Sequence, residues 1–227
     1  MNEVRTVVAE TVGECWLNCI AKVIDKGLTH CDEDVEIKEI LGLTVDISKP
    51  SCDDKIIFEF GDELVISKTL EKFSKDAEML NRPFTYGSLI FDNAGVNQFE
   101  WVVNRLNSKR ETKSATFGLL TPGSQSLNLP CLTTVDAKIR NEQLELQFFF
   151  RSQNIFGRQY ANLLALAKLQ DDIARRCSVK VGSMRGYIAS AHIYAFDFVE
   201  AKRIISGELL TIRDLYYEMG PKSIRND

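Results

Sequence analysis

At 227 residues the chain is long enough for one good core, and 44% hydrophobic with 26% charged residues is ordinary globular composition. A net charge of -4 gives no electrostatic reason to bind a nucleic acid polymer, and no apolar run approaches the roughly 18 residues that span a bilayer. With no signal-peptide pattern in Met1-Asn2-Glu3-Val4-Arg5, the expectation is a single cytoplasmic domain over residues 1–227 that makes no use of a membrane.

In chain order, Thr11-Val12-Gly13-Glu14 fits a capping box, and Val12, Cys15, Trp16, Cys19, Ile20 and Val23 recur at helical spacing up to a stop at Gly27. Residues 28–54 are mostly polar, interrupted by Ile40–Ile47, whose alternating end reads as a strand before Pro50. Lys55–Phe60 reads as another short strand. Leu70, Phe73, Ala77 and Leu80 mark a second helix, which Pro83 ends. After a turn at Tyr86-Gly87, Asn97 with Glu100 opens a third helix whose Phe99, Val102, Val103 and Leu106 share a face. Ser114–Leu120 is a strand, followed by a loop at Thr121–Ser126.

Leu132–Ile139 and Leu144–Phe150 flank the polar turn Arg140-Asn141-Glu142-Gln143 as an antiparallel hairpin. Leu144, Leu146, Phe148 and Phe150 alternate on one face. Phe149 makes the other face apolar as well, so that face is either buried or an oligomer interface. A helix carrying Leu163, Leu166, Leu169, Ile173 and Cys177, a strand Tyr187–Tyr194, and a helical stretch Phe198–Met219 broken at Gly207 complete the chain. This mixed order of elements argues for α+β.

The six cysteines are scattered without a CxxC pair and there are only two histidines, so no metal site is expected. Cys15, Cys19 and Cys177 fall on apolar helical faces, where a thiol behaves as a small hydrophobe. Cys131, after Pro130, is different. A thiolate attacks best when a nearby cation lowers its pKa from about 8.5, and Arg151 lies across the predicted hairpin from it. Taken alone, such a cysteine is more often a core thiol. Arg151-Ser152 offers a guanidinium fork with an adjacent hydroxyl, which suits phosphate, although a strand-end arginine also simply meets solvent. His192 and Tyr194, two apart on a strand, face one side. Asn162 presents both a donor and an acceptor near the start of the central helix.

In this order and spacing, Pro130-Cys131, Arg151-Ser152, Asn162 and Ser190-Ala191-His192-Ile193-Tyr194 resemble the thymidylate synthase family, and particularly its short, archaeal-type branch. The resemblance implies that family's α+β fold, a mixed and mainly antiparallel sheet packed against helices, and a homodimer. It implies one-carbon transfer from 5,10-methylenetetrahydrofolate to C5 of a pyrimidine nucleoside monophosphate, with dUMP the first choice. Cys131 would add to C6, Arg151 and Ser152 would hold phosphate, Asn162 the uracil edge, and His192 with Tyr194 the sugar. Tyr86 would join the proton-transfer network at C5. Lys113 stands where a second phosphate arm reaches across the dimer, and Asn154 where the family has the aspartate that binds the folate pterin. Glu63 and Glu71 are the choices for the family's glutamate.

Two departures bear on this picture. Leu132 follows the cysteine where larger members have histidine, and Cys31-Asp32-Glu33-Asp34 replaces their basic loop. The changed folate position keeps a hydroxymethylase of dUMP, CMP or dCMP as an alternative. A nucleotide-binding relative without turnover is the alternative from another class.

Overall fold

A computed structural model describes residues 5–76, 84–120 and 129–208. One sheet runs through them in the order β1 (Thr6–Ala9), β3 (Val35–Ile47), β8 (Lys180–Tyr194), β6 (Gln143–Phe150), β5 (Leu132–Arg140) and β4 (Thr116–Gly118). Two further strands join it: β2 (Leu28–Asp32) pairs with β3, and β7 (Gln153–Asn154) with β8. The β1–β3, β6–β8 and β7–β8 pairs are parallel and the other four antiparallel, so the sheet is mixed and the class α+β, as the sequence predicts. The helices are α1 (Val12–Lys26), α2 (Lys55–Phe60), α3 (Glu63–Phe73), α4 (Tyr86–Phe91), α5 (Gln98–Ser108), α6 (Gln159–Arg176) and α7 (Phe198–Ile205). None among the described residues is long and apolar enough to cross a membrane.

Alternation decides which face of the sheet is covered. Leu144, Leu146, Phe148 and Phe150 of β6 are all buried, and from α6 the buried Gln170 reaches down to donate to Leu144 O at 2.7 Å. Helix α1 adds a fully buried Trp16, whose ring lies 4.8 Å from Tyr160 of α6 and whose Nε1 donates to Ile155 O at 3.0 Å. That bond pins the loop between β7 and α6, which joins Asn154 to the helix carrying Asn162.

Several boundaries differ from the sequence reading, each for a local reason. Lys55–Phe60 is helical, not a strand. Its β-branched run is overruled by Asp54, whose Oδ1 accepts from Ile56 and Ile57 N at 3.0 and 3.2 Å, while Oδ2 accepts from Gly13 N at 2.9 Å. Residues 28–47 form the β2–β3 hairpin, a pairing that polar side chains hid from a pattern search. Tyr86 is not in a turn but is the first residue of α4, where Thr85 and Ser88 cap one another reciprocally. The second helix starts earlier, at Glu63, because Asp62 accepts from Leu64 and Val65 N at 2.7 and 3.0 Å. Ala77, Leu80, Pro83, the loop Thr121–Ser126 and the helical stretch expected after Glu208 lie outside the described residues. The hairpin of β5 and β6 is as predicted, with Asn141 and Glu142 both at positive φ in its turn.

Candidate active site

Strands β6 and β8 run parallel and therefore finish at the same edge of the sheet. There β6 leads through Arg151 and Ser152 into β7, and β8 ends on His192 and Tyr194. Asn154 pairs with His192, and Ile155 N donates to His192 O at 2.8 Å, so the two motifs are joined by backbone.

Cys131 is half-buried just before β5, and the residues around it are held from two sides. Arg151 N donates to Cys131 O at 2.8 Å, Arg151 Nε to Pro130 O at 3.1 Å and Arg151 Nη2 to Leu129 O at 2.7 Å. A guanidinium has five N–H donors, so after two are spent on carbonyls it still has donors for an anion. From the other side the Tyr86 hydroxyl accepts from Leu132 N at 3.2 Å. Burial pushes the Tyr86 phenol up to about 12, so at neutral pH it keeps its proton. Phe73 packs on its ring at 4.7 Å. Gly87 lets α3 and α4 meet there, because a Cβ on it would sit 1.7 Å from Ser74 O.

His192 is 7% exposed, and burial holds its pKa below the ordinary value against the opposing pull of Ser190, Asp32 and Glu39. Its Nδ1 lies 3.4 Å from Ser190 Oγ, which donates to Glu39 Oε1. Tyr194 stacks edge-on at 5.1 Å from the His192 ring and donates its hydroxyl to Asp32 Oδ2 at 3.2 Å. Asn154 Oδ1 accepts from Gly157 N at 2.8 Å, which leaves its amide nitrogen as the group on offer. Asn162 is half-buried and is the fourth residue of α6. Beyond Tyr194, the Asp197 carboxyl is raised to about 7 by burial and by Glu200, with Arg158 opposing.

Cys131, Tyr86, Arg151, Ser152, Asn154, Asn162, His192 and Tyr194 thus fall on the strand ends, the helix start and the short helix that meet at one edge. Lys113 does not join them. It precedes β4, whose Thr116 already pairs with Asp136, five positions and about 17 Å along β5 from Cys131. Glu63 and Glu71 are exposed on α3. The sequence reading did not place Asp32 and Glu39 beside Tyr194 and Ser190, because the residues they meet are on another strand. The available signal was the acidic turn at residues 32–34. Among the described residues no cluster of three or more His, Cys, Asp or Glu side chains is placed to hold a metal ion.

Comparison with known proteins matches residues 60–224 to a family model described as thymidylate synthase. A protein of Methanothermobacter thermautotrophicus is 29% identical over 217 residues, covering 88% of this chain and 98% of its own length. One of Methanothermobacter marburgensis is 28% identical over 216 residues, with 88% and 97% covered. One of Methanosarcina mazei is 27% identical over 216 residues, with 89% and 95% covered. All three carry thymidylate synthase as a provisional name.

Proposed function

Because the chain belongs to the thymidylate synthase family, we propose that it transfers a one-carbon unit to C5 of a pyrimidine nucleoside monophosphate, with Cys131 as the nucleophile at C6. The observation that carries this reading is the double grip on the backbone around Cys131, by Arg151 on Leu129, Pro130 and Cys131 and by Tyr86 on Leu132, at the edge where Asn162, His192 and Tyr194 gather. The Cys131 sulfur adds to C6, and the electron pair of the C5–C6 double bond makes C5 a carbon nucleophile. Arg151 turns its remaining donors, with Ser152, to the phosphate. The Asn162 amide pairs with the uracil O4 and N3 edge, where an acceptor and a donor are both needed. Tyr86, protonated at neutral pH, stands beside the thiol to relay a proton. We place this in the cytoplasm, where six unbridged thiols stay reduced.

Methylenetetrahydrofolate is the one-carbon donor we propose, and it supplies an electrophilic methylene. Asn154 fits it in part: with Oδ1 spent on Gly157, the free amide nitrogen can donate to a pterin carbonyl but offers no carboxylate. That observation favours a second reading, in which water rather than hydride completes the transfer and the product is a hydroxymethyl nucleotide.

Mass spectrometry of UMP, dUMP, CMP and dCMP after separate incubation with protein and methylenetetrahydrofolate tests both. A methyl gain identifies a synthase, and a hydroxymethyl gain a hydroxymethylase. Cys131→Ala should reduce either by at least about a thousandfold while nucleotide binding persists. Binding without any mass change in folded wild-type protein would instead make the chain a nucleotide-binding relative.

A further inference from the structure

His192 has a neighbour on either side in the sheet. The register sets Glu39 of β3 directly opposite it on one side and Asn154 of β7 on the other, and residues paired in this way share a face. His30 of β2 pairs with Ile37, one place along that face from Glu39.

Glu39 is an unexpected residue for this position. Its side chain is only 15% exposed, and Ile37 and Ile40 beside it are buried. Taking a carboxylate that far out of water is costly even when it is paired, so an apolar side chain would serve the sheet better. Both carboxylate oxygens are engaged: Oε1 accepts from the Ser190 hydroxyl, and Oε2 lies 3.5 Å from His30 Nε2. Ser190 in turn meets the His192 ring twice, with its Oγ 3.4 Å from Nδ1 and its backbone hydrogen-bonded to the ring. These contacts form a continuous chain, His30–Glu39–Ser190–His192, from an imidazole 45% exposed to one that is buried.

A serine hydroxyl turns to suit its surroundings, but one committed to a carboxylate is fixed. We propose that Glu39 is a positioning residue of the sugar subsite: by fixing the Ser190 hydroxyl it fixes the His192 ring against which the nucleotide sugar binds. This holds whichever ring nitrogen carries the proton, and it rests on reading His192 as part of that subsite. Glu39 acts through Ser190 and not by touching the nucleotide. A ring already held in place loses less freedom when the ligand arrives, so the gain appears as affinity.

Calorimetric titration of the full chain with dUMP and with UMP, run as a double-mutant cycle, tests the proposal. Glu39→Leu and Ser190→Ala should each weaken the nucleotide that the wild type binds by about tenfold. Links in series fail together, so the double variant should lie within about twofold of either single one, whereas independent residues would multiply to about a hundredfold. Ser190→Thr keeps the hydroxyl and should stay within about threefold of wild type. With only two histidines in the chain, a nitrogen-15 spectrum read against pH, assigned with His30→Asn, follows His192 directly. Glu39→Leu removes a charge that opposes the effect of burial, so the His192 midpoint should move lower, while Asp34→Ala should leave it in place. Losses that multiply, a Glu39→Leu protein that binds like wild type, a Ser190→Thr protein as weak as Ser190→Ala, or a midpoint that Glu39→Leu leaves unmoved each overturn the inference and leave the nucleotide reading standing. If neither nucleotide binds to folded wild-type protein, the nucleotide reading falls and the inference with it.

Discussion

Tyr86 shows how a side chain outside a motif can hold one in place. Its oxygen is the partner of the Leu132 N–H, and the Cys131 backbone also bonds to it, so Tyr86→Phe leaves a buried donor unpaired beside the thiol. The expected cost is about 1–2 kcal/mol of stability, read as a lower urea midpoint at unchanged slope. Turnover should fall while nucleotide affinity stays within about twofold, because the phenol touches the nucleophile's backbone and not the base or phosphate. A variant as stable as wild type would show that the Leu132 N–H finds another partner. His192 makes a second prediction at this scale. Protonation would put a hydrogen on both ring nitrogens and remove the ring's one acceptor, and burial keeps the ring neutral to lower pH than the ordinary 6.5, with Ser190, Asp32 and Glu39 opposing and His30 assisting. Nucleotide affinity should therefore hold from about pH 8 down to about pH 6.5 and weaken only below. Repeating the titration on His192→Gln separates the imidazole from the nucleotide phosphate, which also titrates near pH 6. Weakening between pH 8 and 7 in the wild type alone would sink the assignment. Cys131, Arg151 and His192 could be named as candidates from the sequence because each sits in a short contiguous motif. Asp32 and Glu39 could not, since what ties them to Tyr194 and Ser190 is a neighbour on β8 that only strand pairing supplies.

At the level of elements, the second strand expected from Lys55–Phe60 is instructive. Ile56, Ile57 and Phe58 suit a pleated strand, yet a single buried carboxylate, Asp54, supplies three hydrogen bonds that exist only if the chain turns into α2 and packs against the start of α1. Gly13 permits that approach, because a Cβ there would meet Asp54 Oδ1 at 2.4 Å and Ile56 Cβ at 2.6 Å. Asp54→Ala removes the cap of α2 and the acceptor of Gly13 N–H together, and should cost about 2–3 kcal/mol by chemical denaturation. A loss below about 0.5 kcal/mol would mean that water replaces the carboxylate at both helix starts. By contrast, the β5–β6 hairpin was readable from the sequence, because alternation and a two-residue turn act on neighbours. Propensity foretells an element when its partners are near in sequence, and fails when a residue such as Asp54 couples it to a helix forty residues earlier.

Across the whole molecule, the uncovered face of the sheet and the position of Lys113 lead to the same question. Phe149 of β6 and Tyr187 of β8 stack at 5.3 Å on the face away from the helices, 37% and 43% exposed, with Val8 of β1 exposed at 71%. Exposed aromatics stacked on a sheet are suited to a second copy of the chain. Lys113, meanwhile, precedes the end of β4 that pairs with Asp136, well along β5 from Cys131, so the contact with nucleotide phosphate proposed for it is one across a dimer. Light scattering should give twice the 25.7 kDa chain mass, and Tyr187→Glu should lower it to that of a single chain. The sharper test is complementation. Cys131→Ala and Lys113→Ala proteins are each expected to be weak as pure dimers, the first without a nucleophile and the second with a phosphate pocket short of one cation. After unfolding and refolding together, mixed dimers would contain one site that draws Cys131 from one chain and Lys113 from the other, and about half of the dimers formed would be of this kind. Activity rising above the mean of the two parents would place Lys113 across the interface. Activity no greater than that mean, in a population shown to contain mixed dimers, would leave Arg151 and Ser152 as the phosphate grip and remove Lys113 from the site.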